Sequence, residues 1–381
     1  MKRCKKCFLP DTKPDLWFNE EGVCAACIAY SNRKKVDWES QRRKLITLLL
    51  NSREQSGSQW DCIVPVSGGK DSTFQALTIR SLGFNPLCVV STTCDLSAIG
   101  LANIRNLNSL GFDMIEFSPN PIVRRKLNKI GLETVGDISW PEHVGIFTIP
   151  VKVAVNFGIP LLIWGENSQN EYGGPQSSQE SQVLNREWLE EFGGLLGMRV
   201  SDLVATFGFQ KHEIEPYSYP ESEELESNNT TGIFLGQFIP WDGFTNVLLA
   251  QNYGFRTFEK VIEGSFVNYE NLDNLQAGIH DYFKYLKFGF GRVSDLASIH
   301  IRRGRISREI AKEIIKERDG MYPSSYLGVE LKEILERVGI TANDFDAICD
   351  RFTNPTLFER DSQNNFIRRE DGSPKLITPV V

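Results

Sequence analysis

The spacing of apolar residues changes several times along the chain, and each change predicts an element. Asp37 to Asn51 is polar, with apolar residues at Leu45, Leu48 and Leu49, which predicts a helix. Ser52 to Gln59 (SREQSGSQ) is polar, contains Gly57 and predicts a linker. From Asp61 strands and helices alternate. Cys62-Ile63-Val64-Pro65-Val66 is a short apolar run ending at glycines, the mark of a buried strand. Asp71 to Leu82 predicts a helix with Phe74, Leu77 and Leu82 on its apolar side. A strand over Leu87 to Ser91, a helix near Ala98 to Leu110 and a strand over Met114 to Phe117 follow. Two more helical stretches lead to a fourth strand, Leu161 to Trp164.

Such alternation predicts an α/β fold, a doubly wound parallel sheet covered on both faces with right-handed crossovers. Beyond about residue 185 the pattern is mainly helical, with helices near 272–287, 293–302, 306–317, 328–338 and 342–351. Glu221 to Thr231 (ESEELESNNTT) reads as an acidic surface loop. The tail from Asn354, rich in Pro and charge, predicts nothing specific. Three regions result: 1–56, cysteine pairs and a connecting helix; 57–255, the alternating domain; 256–381, a mainly helical region.

The segment joining the first strand to the first helix is Ser67-Gly68-Gly69-Lys70-Asp71-Ser72. In a doubly wound sheet, ligands bind beyond the carboxyl ends of the strands, and phosphate favours a helix N-terminus. Gly68 and Gly69 allow turns that bring successive N–H groups onto an oxyanion. Ser67 and Ser72 add hydroxyls, Lys70 a positive charge, and Asp71 a helix cap or a magnesium contact. The GxxxxGK spacing of a Walker loop is absent. The six residues match SGGxDS, the PP-loop signature of ATP pyrophosphatases, which implies that the loop holds the β,γ-pyrophosphate while a nucleophile attacks the α-phosphorus.

The fourth strand runs into Gly165-Glu166-Asn167-Ser168-Gln169-Asn170-Glu171-Tyr172-Gly173-Gly174. Carboxylates here, Glu166 above all, can hold magnesium or position an amine. Asn167, Gln169, Asn170 and Glu171 can read sugar hydroxyls or a nucleotide; a solvated polar loop is the plain alternative. Further along, Lys287 and Arg292 are flanked by glycines and are candidate cations for a leaving pyrophosphate or the substrate.

Charge and cysteine usage narrow the class. The net charge is −7 over 381 residues, which disfavours a polyanionic partner such as nucleic acid. No apolar run reaches the ~20 residues of a membrane span. The basic N-terminus (Lys2, Arg3, Lys5, Lys6) is followed by no apolar signal core, so a cytoplasmic protein is expected. Of the eight cysteines, Cys4, Cys7, Cys24 and Cys27 form two CxxC pairs. Two such turns complete a tetrahedron of thiolates around zinc with no position left for water, so the metal is read as structural; a redox pair or an iron–sulfur cluster are the other readings. Cys62 and Cys88 fall in apolar strands and read as core. Position 2 is Lys, so no N-terminal cysteine nucleophile for glutamine hydrolysis is present there.

The cysteine ribbon, SGGKDS, GENSQNEYGG and KFGFGR occur here in one order. Together they resemble the N-acetyl sugar amidotransferases of bacterial surface-polysaccharide synthesis, the group that includes pseudaminic-acid and O-antigen enzymes. The resemblance implies a PP-loop (HUP-like) fold with an N-terminal zinc ribbon. It implies an ATP-dependent enzyme forming AMP and pyrophosphate while converting the acetamido group of an N-acetyl sugar, free or nucleotide-linked, to acetamidino. Ser67, Gly68, Gly69, Ser72 and Gly165 would bind ATP, with Lys70, Asp71 and Glu166 at the chemistry and magnesium at Asp71 and Glu166. It further implies a separate glutamine amidotransferase subunit that supplies ammonia. Two rivals stand beside this reading. One is a transfer-RNA thiolation enzyme, kept open by Cys94 after the second strand; the other is a non-catalytic ATP-binding scaffold.

Overall fold

The strands of the sheet send alternate residues into two apolar layers. A computed structural model describes residues 1–93, 95–174, 183–184 and 196–378. The sheet is built from β1 (Cys62–Pro65), β2 (Pro86–Ser91), β3 (Met114–Phe117), β4 (Leu161–Trp164), β5 (Val183–Leu184) and β6 (Thr231–Phe234). Its order is β3-β2-β1-β4-β6-β5. All neighbours pair parallel except β5, which runs antiparallel to β6.

Cys62, Val64, Cys88, Val90, Ile163 and Ile233 face one layer, where Leu45 and Leu49 of helix Trp38–Gln55 meet Phe74 and Leu77 of helix Lys70–Ser81. Ile63, Leu87, Val89, Leu162 and Trp164 face the other, against Ile149, Val151 and Ala154 of helix Trp140–Phe157. Both faces are covered, so the strands read as nearly continuous apolar runs. The doubly wound parallel sheet expected from the alternation is therefore the observed one.

Two segments differ from expectation, and the tail, for which none was formed, is folded. Helix Trp38–Gln55 runs into the stretch read as a linker, because Ser52 is buried and its hydroxyl donates to Asp61 O (2.6 Å). The Glu221–Thr231 stretch holds a short helix, Ser222–Ser227, and its last residue opens the parallel strand β6. The tail is folded against the body: Phe358 is buried, Phe358 bridges to Leu376, and Tyr285 Oη donates to Pro374 O (3.0 Å).

The C-terminal region does not keep a core to itself. Tyr282, Phe283, Leu286, Phe345 and Ile348 share one apolar cluster with Leu132, Ile138 and Val247, which come from helices flanking the sheet and the turn beside them. At the other end, the first residues form two small turns with antiparallel bridges Arg3–Pro10 and Phe18–Cys24. Among the described residues, no helix is long and apolar enough to cross a membrane.

Candidate active site

Strand order reverses at β1 and β4, which are neighbours although far apart in sequence. The segments that follow them leave a crevice between them. A cavity of about 690 Å³ lies there, lined by Ser67, Gly69, Lys70, Asp71 and Ser72 from the loop after β1 and by Gly165, Glu166, Ser168 and Glu171 from the segment after β4. The two motifs singled out by sequence thus meet at one site.

The loop turns on Gly68, at φ +87°, packed so closely that an added Cβ would lie 2.5 Å from Gly100 O. Gly69 N–H donates to Ser67 Oγ (3.3 Å), Ser67 N–H donates to Ser72 Oγ (3.3 Å), and Ser72 Oγ donates to Gly69 O (3.1 Å). These bonds hold the loop closed on itself. Helix Lys70–Ser81 begins directly after it with Gly69 as its N-cap. Asp71 is therefore not the cap that its position suggested; it sits in the first turn and turns its carboxylate elsewhere. Asp71 Oδ2 accepts from Lys70 Nζ (2.6 Å) and Oδ1 accepts from Asn246 Nδ2 (2.8 Å).

Lys70 is buried between two carboxylates, Asp71 and Glu270 (2.8 Å), and Glu270 in turn accepts from Arg292 Nη2 (2.6 Å). Burial works against the Lys70 ammonium, but Asp71 and Glu270 outweigh it and raise its pKa. Burial likewise opposes the charge on Glu270, yet Lys70 and Arg292 hold its carboxyl below the usual range. Asp71, Lys70, Glu270 and Arg292 thus form one chain of ion pairs, and its cations stand at the cavity wall. Arg292 also donates to Tyr172 Oη (3.2 Å). Glu166 contrasts with them: burial, with the Asp71 carboxylate adding to it, pushes its carboxyl up to about 7.

The other candidates separate. Glu171 lines the cavity, but its carboxylate is held by Arg303 (3.2 Å) and Arg33 (3.7 Å). Asn167 is buried beneath the short helix Ser168–Tyr172, and neither it nor Asn170 is on the cavity wall. The side chain of Gln169 and all of Cys94 lie outside the described residues. Lys287 does not reach the cavity: its ammonium donates to Val135 O (2.6 Å) and lies over the Phe352 ring, a helix-end contact on another face.

Several lining residues gave no signal in the sequence. Tyr269 and Glu270 come from a stretch without periodicity, Asp273 from the start of a stretch read as helix that lies ahead of the observed one, and Trp241 and Asp242 from the segment after β6. Asp273 accepts from the Ser67 side chain, and burial raises its pKa despite that bond. Gly165 lies against Trp241, whose ring an added Cβ would approach to 2.9 Å. A turn in which glycines meet a backbone carbonyl tells that something packs there, but not what.

The four N-terminal cysteines converge. Cys4 and Cys27 Sγ are 3.9 Å apart, Cys7 and Cys24 Sγ 3.5 Å, and all four are buried. A tetrahedral zinc with Zn–S near 2.3 Å sets sulfurs about 3.8 Å apart. Cys4 Sγ also accepts N–H groups from Lys6 (3.4 Å) and Cys24 (3.3 Å), the support a thiolate ligand needs. The donor set fits a closed, structural metal site.

With the geometry established, comparison with known proteins adds a partial answer. Residues 258–370 match the family described as LPS biosynthesis protein WbpG-like, C-terminal domain. That stretch contains Glu270, Asp273 and Arg292, so the matched region supplies part of the cavity wall. No curated protein matches the chain. Among solved structures, NMN synthetase from Francisella tularensis aligns at 13% identity over 51% of this chain and 92% of that one, with a TM-score of 0.28. An NH3-dependent NAD synthetase from Campylobacter jejuni aligns at 17% identity over 57% of this chain and 93% of its own, with a TM-score of 0.30. At these scores neither likeness bears on the activity.

Proposed function

We propose that the protein is an ATP-dependent amidotransferase that converts the acetamido group of an N-acetyl sugar to acetamidino in the synthesis of a bacterial surface polysaccharide. The observation that carries this reading is the SGGKDS loop, intact and placed between β1 and its helix at the sheet's switch point, on a cavity large enough for a nucleotide and a sugar. The LPS-biosynthesis match over residues 258–370 supports the choice of pathway.

An amide oxygen is a weak nucleophile and its carbon a weak electrophile, so the group must be activated. The acetamido oxygen attacks the ATP α-phosphorus, the bond to the bridging oxygen breaks and pyrophosphate leaves. Loop N–H groups, the Ser67 and Ser72 hydroxyls and the Lys70 charge stabilise the departing anion. Ammonia then adds to the adenylated carbon, loses a proton, and AMP departs with the former amide oxygen. The Asp71 charge reaches Glu166, and the two carboxylates are a donor pair that fits magnesium. Bound there, the metal would neutralise phosphate charge. Zinc at Cys4, Cys7, Cys24 and Cys27 is proposed as structural, and a separate glutaminase subunit as the source of ammonia.

The test is to supply MgATP, ammonium and a panel of UDP- or CMP-linked N-acetyl sugars, and to measure AMP and pyrophosphate. Sugar-dependent release, with a product in which oxygen is replaced by NH, is the expected result and names the sugar. Release that instead depends on tRNA and a sulfur donor would overturn it.

A further inference from the structure

Away from the phosphate loop, but on the same cavity, stand two histidines that the mechanism above leaves without a task. His143 lies near the start of helix Trp140–Phe157 and His280 near the start of helix Ala277–Phe288. Asp137, in the turn before the first of these helices, is buried between them. Its Oδ2 is 3.1 Å from His143 Nδ1, and its Oδ1 is 2.8 Å from His280 Nδ1. Oδ1 also accepts the Ser139 N–H (2.9 Å). The two rings meet edge to face with centroids 4.9 Å apart.

This arrangement decides the tautomers. Burial opposes the Asp137 charge, but the two imidazoles outweigh it and hold the carboxyl well below its ordinary range. An ionised carboxylate only accepts, so each ring must present Nδ1–H to it. That leaves Nε2 of each ring as the atom able to exchange a proton, and no hydrogen bond to either Nε2 is found among the described residues. Burial lowers the proton affinity of His280, and Asp137 more than restores it. A single buried carboxylate thus orients two imidazoles and leaves the Nε2 of each on the side away from it. Two imidazole Nε2 atoms backed by a buried carboxylate at a cavity rim suit a small cation with N–H donors. They do not suit phosphate, which the other end of the cavity attracts.

We infer that Asp137, His143 and His280 form the ammonium site, where an imidazole Nε2 takes the proton that turns ammonium into the nucleophile. Ammonium donates its proton to Nε2, ammonia adds to the adenylated carbon, and the new C–N bond displaces AMP. The second proton, lost as the amidine forms, passes to the other ring. This rests on the amidotransferase reading, which supplies both the activated carbon and the need for ammonia.

The experiment separates the two half-reactions. Sugar-dependent exchange of labelled pyrophosphate into ATP reports adenylation; amidine formation with ammonium reports transfer. The His143→Gln/His280→Gln double variant is compared with wild type, together with each single variant as a check on folding. Transfer with ammonium is expected to fall about 100-fold or more, while exchange falls far less. Hydroxylamine, largely neutral at neutral pH and needing no deprotonation before attack, should recover most of the lost transfer. Equal losses in exchange and transfer would show that the histidines only bind substrate or hold the fold, and would overturn the inference. So would equal losses with ammonium and hydroxylamine, or loss of one equivalent of bound divalent metal in the double variant. Wild-type protein with no sugar-dependent exchange at all overturns the parent reading and this one with it.

Discussion

Asp71 and Glu166 share one cavity but not their partners. Asp71 has Lys70 and Asn246; burial and the Asp71 charge act on Glu166 together. An unfolded Glu titrates near 4.5 and the folded Glu166 near 7, so between those values the folded state binds more protons than the unfolded one. Stability contributed by this group is complete below the lower value and is lost as pH rises through the window. Glu166→Gln removes that loss. The unfolding free energy of the nucleotide-free variant, measured by denaturant titration, should therefore gain on wild type from pH 4.5 to about 7, by up to about 1.4 kcal/mol per pH unit, and run parallel above it. Parallel curves throughout would mean that the carboxyl is not perturbed. Lys70 lies at the other extreme. A buried cation between two carboxylates is stable only while all partners remain, so its value to ATP binding cannot be separated from Glu270, which no sequence motif contains.

The strand–loop–helix unit shows where element-scale reading succeeds and where it stops. The SGGKDS loop was legible because glycines, hydroxyls and a charge follow an apolar strand and precede a helix, each with a local reason. The strand β6 was not: Thr231–Phe234 opens on Thr-Gly directly after an acidic, polar stretch that reads as a surface loop, so its start is hidden. Its strand character comes from pairing with β4, a non-local cause. Glu270, Trp241 and His143 were invisible for the same reason, since only the fold brings them to the loop. Gly68 tests the unit directly. An alanine there must accept φ +87° and a Cβ 2.5 Å from the Gly100 carbonyl, itself pinned because an added Cβ on Gly100 would lie 2.7 Å from Asp273 Cα. Strain of about 1–3 kcal/mol is expected. Gly68→Ala should weaken MgATP binding by calorimetry roughly 10-fold, one decade being about 1.4 kcal/mol, with a lower Tm. Unchanged binding would mean that the loop opens freely and that its closed form is not the nucleotide-binding one.

On the scale of the whole molecule, the division into ribbon, sheet and helical region follows the composition but not the packing. The ribbon is fastened to the C-terminal helices: Ser298 Oγ donates to Cys7 O (2.5 Å), Arg308 donates to Cys4 O (3.0 Å), and Arg302 Nη1 approaches Cys7 Sγ (3.6 Å). Arg302 reaches on to Glu171 O (2.6 Å) in the segment after β4. The helix that carries Ser298 and Arg302 begins at Arg292, the cation paired with Glu270 beside Lys70. Cys4–Cys27 therefore buttress the cavity from behind, through one rigid helix. Four thiols this close cannot all ionise unaided: contacts among them drive Cys4 and Cys7 down and Cys24 and Cys27 up. A bound cation relieves that conflict, and its loss should be felt at a distance. Chelation, or Cys4→Ser with Cys7→Ser, should release hydrogen-exchange protection in residues 292–302 and cut sugar-dependent pyrophosphate exchange at least about 10-fold, consistent with misplaced active-site groups. ATP should still bind through the loop after β1, whose own hydrogen bonds are local. Full exchange activity in metal-free protein would reduce the ribbon to an appendage. Loss of ATP binding along with it would place the coupling in the sheet instead of in the helix.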